Sequence, residues 1–519
     1  MSALAALSVA CIVSMTLVPS LAVARARPGG GQSFGGGGSK SGGGGGSSSS
    51  RSGGGGSSSS PSSGGGSSSG GGGMSLFGLV IVIICGVIVV AVKAATQPTG
   101  GYTTGYSGNA RPYVPMALVV RTHVPAAVLV PARTQLRALE SDDPAFSVIV
   151  FEDFLGALYT EVVMAAGAGK LERFAAYLSE GARRTLAARP LQGVSHVLVG
   201  AMKVDAARGL EATSREVSAD VVFESNLARR DPTTGYEQAI YAMERWTFSR
   251  AKAAKSRSPD KARVFGCPSC SAPLEQVLAG RCKYCGNEVA TGAFDWIVES
   301  AEVVSTLDRG PMLTGETAEQ GNETPTIVDP RARARFEEVQ RRDPAFTYGG
   351  FVARASHIFQ TFHGSWSARD LVAMRPFLSD ALFTTQTYWV AEYKRQRLRN
   401  VSENATVLHI ELARVTSDTF FDAITVRVYA SCLDYTLSDD HGQIVSGNRT
   451  TPRRYSEYWT FVRSRGAKGP ARTDPRCPRC GAPLAINMAG SCTHCEAKVT
   501  SGSFDWVLAR IEQDEVYTG

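Results

Sequence analysis

Two stretches of this 519-residue chain repeat each other 200 positions apart, and that repetition limits the available folds more than any other feature. Asp143-Pro144-Ala145-Phe146 returns as Asp343-Pro344-Ala345-Phe346. Each is followed by apolar residues at helical spacing: Phe151, Leu155, Leu158 and Val162, then Phe351, Ala355, Ile358, Phe359 and Phe362. A shorter helical stretch comes next, with Leu171, Phe174 and Leu178 in one copy and Leu371, Met374 and Leu378 in the other. Each ends at a Ser placed to cap the following turn. Val217, Ala219, Val221 and Phe223, matched by Ile424, Val426, Val428 and Ala430, alternate as strands with one buried face do. Helices first and antiparallel strands after predict an α+β domain, present twice. The matches Glu244-Arg245-Trp246-Thr247-Phe248 with Glu457-Tyr458-Trp459-Thr460-Phe461, and Phe294-Asp295-Trp296 with Phe504-Asp505-Trp506, read as core strands.

Between those late segments each copy carries two CxxC pairs: Cys267, Cys270, Cys282 and Cys285, then Cys477, Cys480, Cys492 and Cys495, with an eleven-residue loop both times. Four thiolates close a tetrahedral shell and leave no position for water, so the pattern predicts two structural Zn2+ ions held in zinc ribbons. An iron centre or a redox dithiol is the alternative. Pro268 and Pro478 stiffen the turns, and Gly286 and Gly481 suit a tight backbone. His494 falls inside a knuckle, where four sulfurs already suffice. Of the eleven cysteines, Cys11, Cys85 and Cys432 stand outside the pairs and read as small hydrophobes.

Basic residues crowd the ribbon approaches: Arg245, Arg250, Lys252, Lys255, Arg257, Lys261 and Arg263, and Arg463, Arg465, Lys468, Arg472, Arg476 and Arg479. They read as solvated hairpin stems, with contact to anionic lipid or nucleic acid as the alternative. A net charge of +7 over the whole chain argues against a dedicated nucleic-acid binder, and no aromatic stacking platform interleaves with the knuckles. Asp220 and Asp422 fall on predicted strands without an evident partner, and no repeated His/Asp pair or paired carboxylate emerges, so catalysis is not expected.

Ahead of the repeats, 1–24 is apolar and signal-like, and 25–73 is a Gly/Ser-rich tether unable to bury apolar surface. Within 74–93, the 17-residue run from Leu76 to Val92 is long enough to span a bilayer as one helix. Basic residues on its two flanks do not settle orientation, but insertion of the first segment would return the chain to the cytosol after the second. Reduced thiolates favour that side as well. The remaining expectations are a linker over 94–132, a first domain over 133–306 with its ribbon at 264–290, an acidic linker over 307–332, and a second domain over 333–519 with its ribbon at 474–500.

A signal-like start, a Gly/Ser stretch containing ARPGGGQSFGGGGS, an apolar span and amphipathic helices leading into a WTF strand resemble bacterial Tim44-like proteins. That resemblance implies an NTF2-like cone, in which a long helix lies in a curved antiparallel sheet around a pocket, and an enzyme using that pocket is the alternative to a binding role. It also implies a single-pass protein of the bacterial inner membrane that makes lipid contacts and tethers protein partners there. The chain departs from the family in having two copies, each with a ribbon insertion, and in lacking a long charged N-terminal region. A protein-import role therefore does not transfer, and no binding residue is carried over.

Overall fold

The computed structural model describes residues 130–519 except 232, 315–318 and 320. The signal-like segment, the tether, the apolar span, Cys11 and Cys85 lie outside the described residues. Among the described residues no helix is long and apolar enough to cross a membrane.

The first half opens with a helical turn, α1 (Ala132–Gln135), continued as a 3-10 turn, Leu136–Ser141. Then follow α2 (Val148–Gly167), a 3-10 segment Leu171–Tyr177, α3 (Glu180–Ala187) and the strands β1 (Val194–Arg208), β2 (Glu216–Arg230) and β3 (Glu237–Ala251). A two-residue-per-strand hairpin, β4 (Val277–Leu278) and β5 (Arg281–Cys282), precedes β6 (Ile297–Leu307). The second half lays down α4 (Ala332–Arg342), α5 (Tyr348–Ala368), α6 (Leu371–Met374), a 3-10 turn Arg375–Phe377 and α7 (Asp380–Arg395). Its strands are β7 (Leu398–Ser417), β8 (Phe421–Ser438), β9 (Ile444–Gly447), β10 (Arg453–Ser464) and β11 (Val507–Gln513). Both sheets are antiparallel, ordered β1-β2-β3-β6 and β11-β10-β8-β7, with β9 paired to β8. The architecture is α+β throughout.

Local chemistry explains the boundaries. Ser147 and Thr347 cap α2 and α5 by accepting from the backbone N–H of Val150 and Gly350, and Ser179 and Ser379 do the same for α3 and α7 through Ala182 and Leu382. The apolar stripes of α2 and α5 then face the sheets. Tyr159 stacks on Phe223 at 4.3 Å between ring centroids and packs against Trp246 at 4.9 Å, while Phe359 and Phe362 meet Trp459 at 5.3 and 5.7 Å. Register shifts at Val199/Ala201, Val204/Ala206 and Met243/Glu244 are bulges, which bend a strand and increase its twist.

Three expectations need correction. Phe294-Asp295-Trp296 and Phe504-Asp505-Trp506 are not strands but bends that lead into β6 and β11, because each Asp side chain accepts from the N–H of the Trp that follows it. Leu178 and Leu378 leave their short helices for extended backbone and bridge in parallel to Val298 and Leu508. Nor does β8 keep one open face: Arg427, on the side opposite Val426 and Val428, is buried. The acidic segment expected to be a plain linker lies across it. Arg427 donates to the carbonyls of Thr324 and Gly321 at 2.7 and 2.8 Å and pairs with Asp514 at 2.7 Å.

The halves touch through specific side chains. Tyr241 and Asn226 donate to Glu392 at 2.7 and 2.8 Å, and Arg510 pairs with Glu152 at 2.6 Å. Burial pushes the Glu152 carboxyl up, but Arg133 and Arg510 outweigh it and hold it at about 2. Gly200 lies under the Tyr388 ring, where a Cβ would come within 2.8 Å of ring carbons.

Candidate metal centres

Each cysteine quartet occupies the connection between the last two long strands of its half, β3 to β6 and β10 to β11. In each quartet the four sulfurs lie within 4.8 Å of one another. Cys267 and Cys285 Sγ are 3.9 Å apart, as are Cys270 and Cys282, and Cys477 and Cys495 are 3.8 Å apart. Four sulfurs at about 2.3 Å from a tetrahedral ion would be about 3.8 Å apart, so both groups fit a metal ion without rearrangement.

The knuckles are built by the backbone. After the second cysteine of every pair comes a residue in the left-handed region: Ser271 (φ 62°), Gly286 (φ 76°), Gly481 (φ 71°) and Glu496 (φ 59°). That turn returns the chain so that the N–H of Ser271, Gly286, Gly481 and Glu496 reaches the carbonyl of the first cysteine of its pair, at 2.8 to 2.9 Å. Glycine takes this conformation freely, whereas Ser271 and Glu496 take it at a cost. Sequence reasoning singled out the two glycines and missed the other two positions, which carry no compositional signal.

The thiols are unequally poised. Burial pushes Cys267 up to about 12. Cys285 is drawn down to about 7 by the N–H of Asn287, and Cys477 reaches about 7 because the N–H groups of Cys480 and Arg479 outweigh its burial. Cys282 and Cys492 are buried against short apolar neighbours, Val277 and Leu274 in one ribbon and Ile486 and Val499 in the other. His494 is exposed, and Cys432 is buried in the second core.

Both ribbons are fastened to their own half. Tyr177 donates to the Gly266 carbonyl at 2.6 Å in the first. In the second, Arg375 donates to the Met488 carbonyl at 2.9 Å, and Lys498 pairs with Asp380, the first residue of α7, at 2.6 Å.

Part of each basic stem is spent inside the protein. Arg250 is buried and pairs with Asp143 at 3.1 Å, and its guanidinium lies 5.6 Å from the Phe146 ring and 5.1 Å from that of Trp296. Arg463 repeats this with Asp343 at 3.0 Å, Phe346 at 4.8 Å and Trp506 at 4.9 Å. Arg257 pairs with Asp295, Arg263 with Asp153 and Arg245 with Asp205. In the first half this ties down the arginines, while Lys255, Lys261 and Arg263 stay exposed as a solvated stem would have them. Exposed cations remain in the second, at Arg465, Lys468, Arg472, Arg476 and Arg479. The two isolated carboxylates have partners: Asp220 accepts from Arg208 and Thr247, and Asp422 from Arg342 and Ser417.

One repeated carboxylate escaped notice. Glu244 and Glu457, each two residues before a core Trp, are both buried and accept from that indole N–H at 2.8 and 3.1 Å. Glu244 also receives both terminal nitrogens of Arg189, at 2.7 and 2.6 Å, and the Tyr159 hydroxyl at 3.1 Å. Those donors occupy its lone pairs and make it a fixed anchor between helix and sheet. The Glu-x-Trp spacing in both copies was the available signal.

No curated protein matches the chain. A solved structure described as an "Ntf2 like protein involved in plasmid conjugation" is similar at 7% identity and a TM-score of 0.17, covering 69% of this chain and 94% of that one; at that score the likeness supports no argument. Among family models, that of the Tim44-like domain matches residues 332–472, which run from the start of α4 to the second ribbon.

Proposed function

We propose that the protein is a membrane-anchored, non-enzymatic scaffold, in which two tandem Tim44-like cones, 133–306 and 333–519, present bound lipid or a protein partner at the membrane surface. The observation that carries this reading is the Tim44-like match over 332–472, a family that is generally non-catalytic. The shared order of helices, strands and cysteine quartet supports extending it to the first half. In this reading each quartet holds a structural zinc ion, since four thiolates and no open position favour that metal. The apolar run from Leu76 to Val92 serves as a single-pass anchor in a bacterial inner membrane, with the domains on the cytosolic side.

Alkaline carbonate extraction of membranes carrying the full chain tests the anchor. The protein should stay in the pellet, deletion of 74–93 should release it, and protease added to sealed inverted vesicles should degrade 133–519. Recovery of the full chain in the carbonate supernatant would overturn the anchored scaffold.

A further inference from the structure

The second half holds a cleft of ≈ 270 Å³ whose walls include Arg342, Asp343, Asp422, Arg463, Arg465 and Lys468. Four cations face two carboxylates there. Both carboxylates are committed, Asp343 to Arg463 at 3.0 Å and Asp422 to Arg342 at 2.7 Å. Arg465 has only a carbonyl partner, that of Asp418 at 3.0 Å, and Lys468 has no ion-pair partner among the described residues. Arg463 is buried, and its Nε and that of Arg342 make no hydrogen bond among the described residues. Val339 and Arg342 belong to the last turn of α4, whose negative end is offset by Arg341 and Arg342.

The matching positions of the first half are filled differently. Aligning the two motifs sets Arg250 against Arg463, Lys252 against Arg465, Lys255 against Lys468, and Asp142 against Arg342. In the first half Asp142 absorbs the extra cations: Lys252 reaches its carboxylate and Lys255 its carbonyl, both at 3.1 Å. In the second, an arginine stands where that aspartate would be. The buried arginine–aspartate pair is kept in both halves, but the second lacks the added aspartate and its cleft carries an excess of two positive charges.

We infer that this cleft binds a phosphate monoester, free or as a lipid headgroup. Such a group carries between one and two negative charges near pH 7 and presents three acceptor oxygens, matching the charge excess and the exposed donors of Arg465 and Lys468. Neither ribbon contributes to the cleft, so this inference stands whether or not the quartets hold zinc.

The test is isothermal titration of the full chain, purified in detergent, with inorganic phosphate and separately with short-chain phosphatidate. Saturable binding is expected, weakened about tenfold or more in Arg465→Ala/Lys468→Ala and unchanged in Lys255→Ala, the matching position of the first half. Lys468→Gln alone, at an exposed position, should weaken binding several-fold with an unaltered melting transition, which separates loss of the site from loss of the fold. Binding of phosphate as well as phosphatidate assigns a free monoester ligand, and binding of phosphatidate alone assigns a headgroup. No saturable binding of either, or affinity in the double variant within twofold of the parent, would overturn the inference.

Discussion

Asp143→Ala leaves Arg250, whose side chain is 0% exposed, without its ion-pair partner and with Asp295 as the remaining nearby carboxylate. Breaking a buried pair from one side costs about 3 to 5 kcal/mol, because the remaining charge is desolvated without compensation. The Ser256 N–H, which donates to Asp143 at 2.9 Å, loses its acceptor as well. For a unit of this size the fall in melting temperature should be roughly 10 °C. Removing the charge too should recover much of that: in Asp143→Ala/Arg250→Met the methionine keeps apolar contact with Phe146 and Trp296, and the double variant should be more stable than Asp143→Ala alone. Asp343→Ala should cost less, because Arg463 retains the Gly469 carbonyl at 3.3 Å. Differential scanning calorimetry of the full chain, with the two halves followed as separate transitions where they resolve, measures all three. A drop below about 2 °C for Asp143→Ala, or a double variant less stable than the single one, would refute the view that this pair carries a buried, compensated charge.

Metal analysis of protein purified without chelator should give two zinc ions per chain, and Cys267→Ser/Cys270→Ser should give one. Glu224, partly buried beside Tyr388, is raised from 4.5 to about 7 by desolvation. Its folded state therefore holds the proton more tightly than the unfolded state, and the stability this contributes at low pH falls as pH rises from about 4.5 to about 7. Thermal melts at pH 5 and pH 8 should show a pH-dependent difference of up to about 3 kcal/mol that disappears in Glu224→Gln. Gly200→Ala should destabilise the contact between halves by about 1 to 3 kcal/mol, because Tyr388 is buried and has little room to move, and limited proteolysis between the halves should become faster. Glu496→Gly should raise stability by up to about 1 kcal/mol in thermal melts by relieving its left-handed backbone.

What was legible in the sequence followed from short-range patterns. The stripes of α2 and α5, the Ser caps and the cysteine spacing all lie within a few turns of chain, where geometry ties residue type to position. Two stem arginines were misread because their partners are distant: Arg250 meets Asp143 across 107 positions, and Arg463 meets Asp343 across 120. Charge density in a stretch of sequence does not reveal whether that charge faces water. The packing of the acidic segment was hidden for the same reason, since nothing local to 310–330 announces that Arg427 on a later strand needs its carbonyls. The Arg four residues after each core Trp did offer a signal, because it recurs in both copies with the Asp, Phe and Trp that enclose it.

These joints bear on what a metal ion can do here. Arg250 lies near the end of β3 and Trp296 immediately before β6, so their contact closes the base of the segment that carries the first quartet. Arg463 and Trp506 close the second in the same way. The base is held by burial, an ion pair and two aromatic faces, none of which involves the thiols. Beyond that base the first ribbon continues the main core of its half through Leu274, Val277 and Val289, whereas the second has a small apolar core of its own around Ile486 and Val499. Cross-linking a ribbon closed at its base stabilises it locally, whereas the β3–β6 pairing from Tyr241 to Ser249 persists through its own hydrogen bonds. A metal bound in a quartet would therefore order the ribbon locally and leave the sheet beneath it unchanged.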